Sequence, residues 1–231
     1  MLSFVRSMHG RFIEGSGGVG RHIVRRHRLI AVALLLALIL PPWNATEART
    51  PAATGPGREF LTGKLLVAGP ELGDPRFSRT VVFMVRHDLD GAMGLVVNRK
   101  VGSTSFAALI EGMGGDAEGI EGQVPLHYGG PVDGNRGFVL HSADYSTPRT
   151  IQVNKQYGMT ASVEILEAMA DGSGPKRAVL VMGYAGWAPG QLESELKRGG
   201  WVVAPPSGGI LFDHSYSTKW ERAFASRYIT I

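Results

Sequence analysis

The chain has 231 residues, no cysteine, and 24 Lys and Arg residues against 20 Asp and Glu residues, which gives a net charge of +4. This length suggests one domain and is ample for a hydrophobic core. The absence of cysteine excludes disulfides, thiolate metal sites and a cysteine nucleophile. A hydrophobic fraction of 44% excludes a wholly disordered chain.

The charge is unevenly distributed along the chain. Residues 1–58 carry eight Arg and two Glu residues, whereas residues 59–231 carry a slight excess of acidic residues. Clustered Lys and Arg residues are the electrostatic footprint of a nucleic-acid-binding domain, and residues 59–231 show none. Direct nucleic-acid binding is therefore not predicted for this part of the chain.

The N-terminal part divides into three segments. The composition predicts a basic, flexible arm at residues 1–28, a hydrophobic segment at residues 29–43 and a linker at residues 44–58. Basic residues before a short apolar run are typical of a secretory signal, and an uncleaved segment would anchor the chain in a membrane. The twelve apolar residues 29–40 span about 18 Å as a helix, short of a roughly 30 Å hydrocarbon core. The alternatives are an exported or membrane-anchored protein, a cytoplasmic protein that starts further downstream, and a buried helix.

Residues 59–231 predict a single domain that begins with strands. Nine short, mainly apolar runs predict strands at residues 64–68, 80–85, 94–98, 125–128, 137–141, 151–153, 178–182, 201–204 and 210–212. The run at 178–182 is the most continuously apolar and predicts a central strand.

Four helices are predicted between and after these strands. The first carries Phe106 and Ile110 on one face after a cap at Ser103, and the second follows a cap at Thr160. The third begins at Pro189, and the last follows a capping box at residues 218–221, with aromatic side chains inward. Strands cluster rather than alternate strictly with helices, which favours an α+β fold with largely antiparallel pairing.

Two glycine-rich corners are the strongest candidates for a ligand site. Residues 129–132 can form a backbone nest for an anion, and residues 183–193 join a strand to the start of a helix. Tightly packed corners would explain both segments equally well. If the corners meet, the ligand-binding residues are Asn98, Gly129, Gly130, Tyr184, Trp187, Gln191 and Glu193.

No catalytic residue is assigned from the sequence. The histidines of residues 59–231 lack the spacing of metal ligands, and Ser142 beside His141 lies outside a nucleophile elbow. No metal and no cofactor are predicted.

Four stretches in order resemble the AlgH/YqgE family of bacterial proteins over about residues 60–231. They are LVAGP followed by DPRF at 66–77, HDLDGAMGLVVN at 87–98, YGGPV followed by GFVLH at 128–141, and GYAGWAPGQLE at 183–193. The resemblance implies one α+β domain whose bifurcated, largely antiparallel sheet forms a pseudo-barrel flanked by helices. The family is labelled as a regulator of alginate-type exopolysaccharide production through transcription, and the resemblance transfers no catalytic residue.

Two functions follow as expectations. The first is a non-enzymatic regulatory or interaction protein that acts on a protein partner of unknown identity. The alternative is a small-molecule-binding protein or hydrolase that uses the corner formed by residues 129–131 and 183–193.

Overall fold

The computed structural model describes residues 59–227, which form ten strands, five α-helices and two 3₁₀ turns. The strands are β1 (Leu65–Ala68), β2 (Val81–Asp88), β3 (Gly91–Val96), β4 (Lys100–Ser105), β5 (Gln123–Tyr128), β6 (Val132–Ser142), β7 (Thr150–Gln152), β8 (Tyr157–Thr160), β9 (Ala178–Trp187) and β10 (Trp201–Ala204). The helices are α1 (Phe106–Gly112), α2 (Val163–Asp171), α3 (Gln191–Lys197), α4 (Gly208–Phe212) and α5 (Lys219–Ser226).

The strands form one curled sheet that forks at β9. Its main path is β10-β1-β2-β3-β9-β6-β8-β7, with β5 paired to β9 and β4 paired to β5. Strand β9 pairs in parallel with β5 as far as Met182, and then pairs antiparallel with β3 from Ala185 onward. The other strand pairs of residues 59–227 are antiparallel. The predicted α+β class and the bifurcated, largely antiparallel sheet are therefore confirmed.

Strands β1 and β2 are buried on both faces. Leu65 and Phe83 lie in one apolar cluster, whereas Leu66 and Met84 lie in a second cluster that includes Leu192 of α3. Successive side chains of a strand point to opposite faces, so a continuous apolar run such as VVFMV supplies both clusters. A third cluster lies beneath α1 and α2.

One predicted strand is wrong. Residues 210–212 belong to helix α4, which begins after Ser207. The Ser207 side chain accepts a hydrogen bond from the backbone N–H of Ile210, which is an N-cap interaction. Because Ile210 and Leu211 are both buried, the short apolar run has the same pattern as a buried strand.

The sequence also fails to predict two strands and misplaces two helix caps. Strand β4 is polar and largely exposed, so it shows no alternation of apolar and polar residues. Thr160 belongs to the unpredicted strand β8, and α2 begins after Ser162. The cap of α1 is Ser105 rather than Ser103, and its hydroxyl accepts from the Ala108 N–H at 3.1 Å.

The predicted N-terminal segments lie outside the described residues. The boundaries at residues 28, 43 and 58 therefore stay predictions. Within residues 59–227, no helix has the length and apolar character needed to cross a membrane, and the longest helix, α2, has nine residues.

Candidate functional site

Gly129 and Gly130 lie at the fork of the sheet, where β5 ends beside β9. The Gly129 N–H donates to the Met182 carbonyl at 2.7 Å, and the Gly129 carbonyl accepts from the Val96 N–H at 2.9 Å. A Cβ atom on Gly130 would lie 2.1 Å from the carbonyl carbon of Tyr184, and Gly130 has a φ of 152°. Only glycine permits such an approach of two backbones. The Gly129 amide is thus used by the sheet, and the glycine pair builds the fork.

Asn98 and Tyr184 make structural contacts on either side of the fork. The Asn98 side chain accepts from the Val81 N–H at 2.9 Å and donates to the Arg79 carbonyl at 2.8 Å. Since Arg79 has a positive φ of 52°, Asn98 stabilises the unusual turn before β2. The Tyr184 ring packs edge-on against Phe138, with ring centroids 6.0 Å apart.

Trp187 and Gln191 meet at a carboxylate that the sequence reasoning missed. The Glu195 carboxylate accepts from Trp187 Nε1 at 2.9 Å, from Trp201 Nε1 at 2.8 Å and from Gln191 Nε2 at 2.9 Å. Because both Trp side chains are buried, their indole N–H groups need an acceptor. Glu195 therefore ties α3 to β9 and β10. Its spacing of four residues from Gln191 was the available signal, since such pairs are neighbours on a helix.

We expect Glu195→Ala to lower the free energy of unfolding by about 2–3 kcal/mol, because two buried indole N–H groups lose their acceptor. Urea unfolding followed by circular dichroism measures the change. Glu195→Gln keeps an acceptor oxygen and should cost less, and the exposed Glu71→Ala is the matched control. A stability equal to that of the parent for Glu195→Ala would refute this role for the carboxylate.

Glu193 faces a buried histidine of β2. His87 Nδ1 accepts from the Leu61 N–H at 3.1 Å, so the proton of the neutral ring lies on Nε2. His87 Nε2 is 3.6 Å from Glu193 Oε1. This pair joins α3 to β2.

The candidate residues thus occupy separate places. Gly129, Gly130 and Tyr184 lie at the fork, whereas Trp187, Gln191 and Glu193 lie where α3 packs on the sheet. The contacts described above engage the Gly129 backbone and the side chains of Asn98, Trp187, Gln191 and Glu193 with other protein groups. Ligand binding by these residues stays a prediction.

His141 and Ser142 make separate hydrogen bonds. His141 Nδ1 donates to the Ser142 carbonyl at 2.9 Å, and its Nε2 accepts from the Thr160 hydroxyl at 2.9 Å. The Ser142 hydroxyl donates to Asp144 at 2.5 Å and accepts from the Arg177 N–H at 3.1 Å. These contacts do not join the serine hydroxyl to the imidazole, as a serine nucleophile and its base require.

An apolar cavity lies between α1 and α2, and the sequence reasoning missed it. Its volume is about 190 Å³, and its apolar lining includes Leu109, Met113, Val139, Leu166, Leu180 and Met182. A wider depression of about 460 Å³ shares Met113 and Gly137 with it and is rimmed by residues 133–136. We call the cavity and this depression together the α1–α2 groove.

The rim of the groove is a local irregularity in strand β6. The pairing of β6 with β9 shifts between Val132 and Gly137, and Asp133 has a positive φ of 49°. Such a bulge bends a strand away from its partner. The depression therefore arises where β6 leaves the regular sheet.

The surface around the α1–α2 groove is acidic. Residues 106–122 and 163–171 contain no Lys or Arg, and they contain seven acidic residues: Glu111, Asp116, Glu118, Glu121, Glu164, Glu167 and Asp171. A side-chain hydrogen bond from Ser173 holds the pKa of Asp171 below its usual value. Arg136 is the basic residue of the rim. Helices α1 and α2, together with the loop that follows α1, thus present a negative field to any partner.

Comparison with known proteins covers most of the chain. The AlgH-like (DUF179) family model matches residues 65–231. A UPF0301 protein from Afipia carboxidovorans is 44% identical over 74% of this chain and 85% of its own length. A UPF0301 protein from Bradyrhizobium diazoefficiens is 40% identical, over 80% of this chain and 92% of its own length.

Solved structures show the same fold. The solution structure of the AlgH protein from Pseudomonas aeruginosa has a TM-score of 0.62 at 35% identity, over 77% of this chain and 92% of that chain. A crystal structure of a Corynebacterium diphtheriae protein has a TM-score of 0.57 at 20% identity, over 71% and 86% of the two chains, and supports the fold alone. The chain therefore belongs to the AlgH-like family of bacterial proteins.

Proposed function

We propose that this domain is a non-enzymatic regulatory or interaction protein that binds a basic segment of a partner protein in the α1–α2 groove. The observation that carries the proposal is the apolar cavity between α1 and α2, with acidic residues on both helices and on the loop that follows α1. The partner segment places one bulky apolar side chain in the cavity and its Lys or Arg side chains against the acidic surface.

The size of the cavity favours a side-chain anchor over a complete small molecule. Pockets for drug-sized ligands are concave and have volumes of about 300–1,000 Å³. The enclosed apolar part of the groove is smaller, at about 190 Å³, and the adjoining depression is open to solvent. Protein interfaces gain much of their binding energy from single apolar anchors that fill pockets of this kind. Met113, which is 46% exposed at the mouth of the cavity, adds a flexible apolar contact.

The charge of the surface favours a basic protein segment over nucleic acid. Complementary charge accelerates association and selects the partner. The acidic residues of α1, of α2 and of the loop that follows α1 would repel the phosphates of a DNA or RNA backbone. They would attract Lys and Arg residues that flank an apolar anchor.

We expect Ala108→Trp to weaken binding of a basic peptide by roughly tenfold or more, because the indole occupies the space of the anchor. Ala108 is an exposed helical residue that lines the cavity, so the fold should tolerate the change. The probe is a synthetic peptide with one Phe between Lys residues, and fluorescence anisotropy with the full chain measures its affinity.

Ala225→Trp is the matched control, since Ala225 is an exposed helical alanine of α5. Replacing the peptide's Phe by Ala should weaken binding to the unmodified chain. Glu164→Lys should also weaken binding, whereas Glu71→Lys should not. Equal affinities for the Ala108→Trp and Ala225→Trp variants would exclude the groove as the binding site.

A further inference from the structure

A second polar site lies on a different part of the domain, around the buried residue Lys219 of α5. The Lys219 side chain is 0% exposed, and Nζ donates to the carbonyls of Leu211 at 2.9 Å and Val97 at 3.2 Å. Asp213 Oδ1 lies 4.0 Å from Nζ and is itself paired with Arg222 at 2.6 Å through its other oxygen. The local charge is therefore positive.

Beside Lys219, one nitrogen of a buried histidine has no protein partner. His127 is 2% exposed, and its Nδ1 donates to the Leu180 carbonyl at 3.0 Å. His127 Nε2 is buried and has no hydrogen-bond partner among residues 59–227. Burial lowers the pKa of His127, which keeps the ring neutral and leaves Nε2 as an acceptor. A buried acceptor of this kind needs a hydrogen-bond donor.

His127 lies on a cavity that adjoins a wider basin. The cavity has a volume of about 50 Å³ and is also lined by Lys219, Tyr216 and His214. The basin has a volume of about 630 Å³, and its lining includes Asn98, Arg99, Lys100, Tyr128 and Tyr216. Tyr216 is the wall that the cavity and the basin share. The Tyr216 hydroxyl is 2.9 Å from His214 Nδ1, and its ring lies 5.0 Å from the His127 ring.

The basin is wide and open, and it offers two recognition elements. Arg99 and Lys100 are the charged residues of its lining, so it favours an anion. Tyr128 and Tyr216 offer aromatic surface to a planar ring.

We propose that the basin binds a nucleoside monophosphate or a molecule of the same chemistry, whose phosphate lies near Lys100 and whose base lies on the Tyr216 ring. A ring N–H or amino group of the base donates to His127 Nε2 after the Tyr216 ring turns aside. The 3₁₀ turn at Tyr216–Thr218 carries this ring at the surface, where it is half-buried. This site is independent of the α1–α2 groove.

The test is calorimetric titration of the full chain with AMP, GMP and CMP, with adenosine and inorganic phosphate as partial probes. We expect saturable binding of at least one nucleotide, and weaker binding of adenosine and of phosphate. In parallel nuclear magnetic resonance spectra, the His127 Nε2 signal should move on binding. Lys100→Glu should weaken binding by roughly tenfold or more, since Lys100 is an exposed cation of the basin.

Lys155→Glu is the matched control, because Lys155 is an exposed lysine that does not line the basin. Any of four results would overturn the proposal. The first three are no saturable binding of any nucleotide, phosphate binding as tight as nucleotide binding, and a bound nucleotide that leaves the His127 Nε2 signal in place. The fourth is an equal loss of affinity from Lys100→Glu and Lys155→Glu.

Discussion

Replacing Gly130 with alanine should lower the free energy of unfolding by about 3–5 kcal/mol, a large effect for one methyl group. The new Cβ would lie 2.1 Å from the carbonyl carbon of Tyr184 and 2.2 Å from its oxygen. The obstruction is backbone, so no side-chain rotation relieves it. Gly130 also has a φ of 152°, which side-chain-bearing residues rarely adopt. Urea unfolding of the purified variant measures the loss.

Gly134→Ala is the matched control for this prediction. Gly134 follows Gly130 by four residues, and a Cβ there would meet nothing within 4 Å. We expect its cost to stay below about 1 kcal/mol. Equal losses of stability in the two variants would show that glycine is not required at the fork by the close approach of β5 and β9.

The second large effect concerns the pH dependence of stability at Lys219. Burial lowers the pKa of Lys219 from 10.5 to about 8 in the folded chain, and Asp213 offsets part of this shift. Between these two pH values the unfolded chain binds a proton that the folded chain does not. Stability should therefore rise with pH from about 8 to 10.5, by up to about 3 kcal/mol. Below about pH 8 both states are protonated, and the penalty is constant.

Lys219→Met isolates this contribution, because it keeps an unbranched side chain and removes the titrating amine. The titratable and charged groups that face Lys219 are Asp213, Arg222, His127 and Tyr216, and the variant retains them. Urea unfolding at several pH values should show a rise for the parent chain that is absent from Lys219→Met. The exposed Lys155→Met should keep the rise. A parallel pH dependence of the parent and Lys219→Met would contradict the burial of a proton-releasing lysine.

The glycine-rich corners show how far the sequence could be used. Their unusual composition correctly marked places where backbones approach closely, at Gly129, Gly130 and Gly183. The sequence could not show that these residues form the branch of a forked sheet. That assignment depends on β9 pairing with β5 up to Met182 and with β3 beyond it. Long-range pairing of this kind leaves no local pattern.

Helix α5 shows a second limit. Periodicity predicted the helix and placed aromatic side chains inward, and Trp220 and Phe224 are indeed partly buried against the core. A third aromatic residue of this sequence pattern, Tyr228, lies outside the described residues. The fully buried residues of the helix are Lys219 and Ala223, and Thr218 makes no side-chain cap hydrogen bond. From the sequence alone, a lysine is expected to be exposed. Lys219 can be buried because the carbonyls of Val97 and Leu211, which lie elsewhere in the fold, accept its hydrogen bonds.

The α1–α2 groove also could not be predicted from the sequence. The acidic loop at residues 114–123 was visible, and so was the apolar face of α1. The cavity between α1 and α2 forms only when these helices are placed together with β6 and β9. It also requires the bulge of β6 near Asp133. Neither condition has a signature in a single sequence.

Binding of a basic segment with one apolar anchor in the α1–α2 groove can be observed directly. The measurement is a titration of the isotope-labelled full chain with the Lys-rich peptide carrying one Phe, followed by amide chemical shifts. We expect shifts concentrated at residues 108–113, 133–137 and 161–166, and little change when Glu replaces Lys in the peptide. Shifts concentrated elsewhere on residues 59–227, or equal responses to the basic and the acidic peptide, would contradict it.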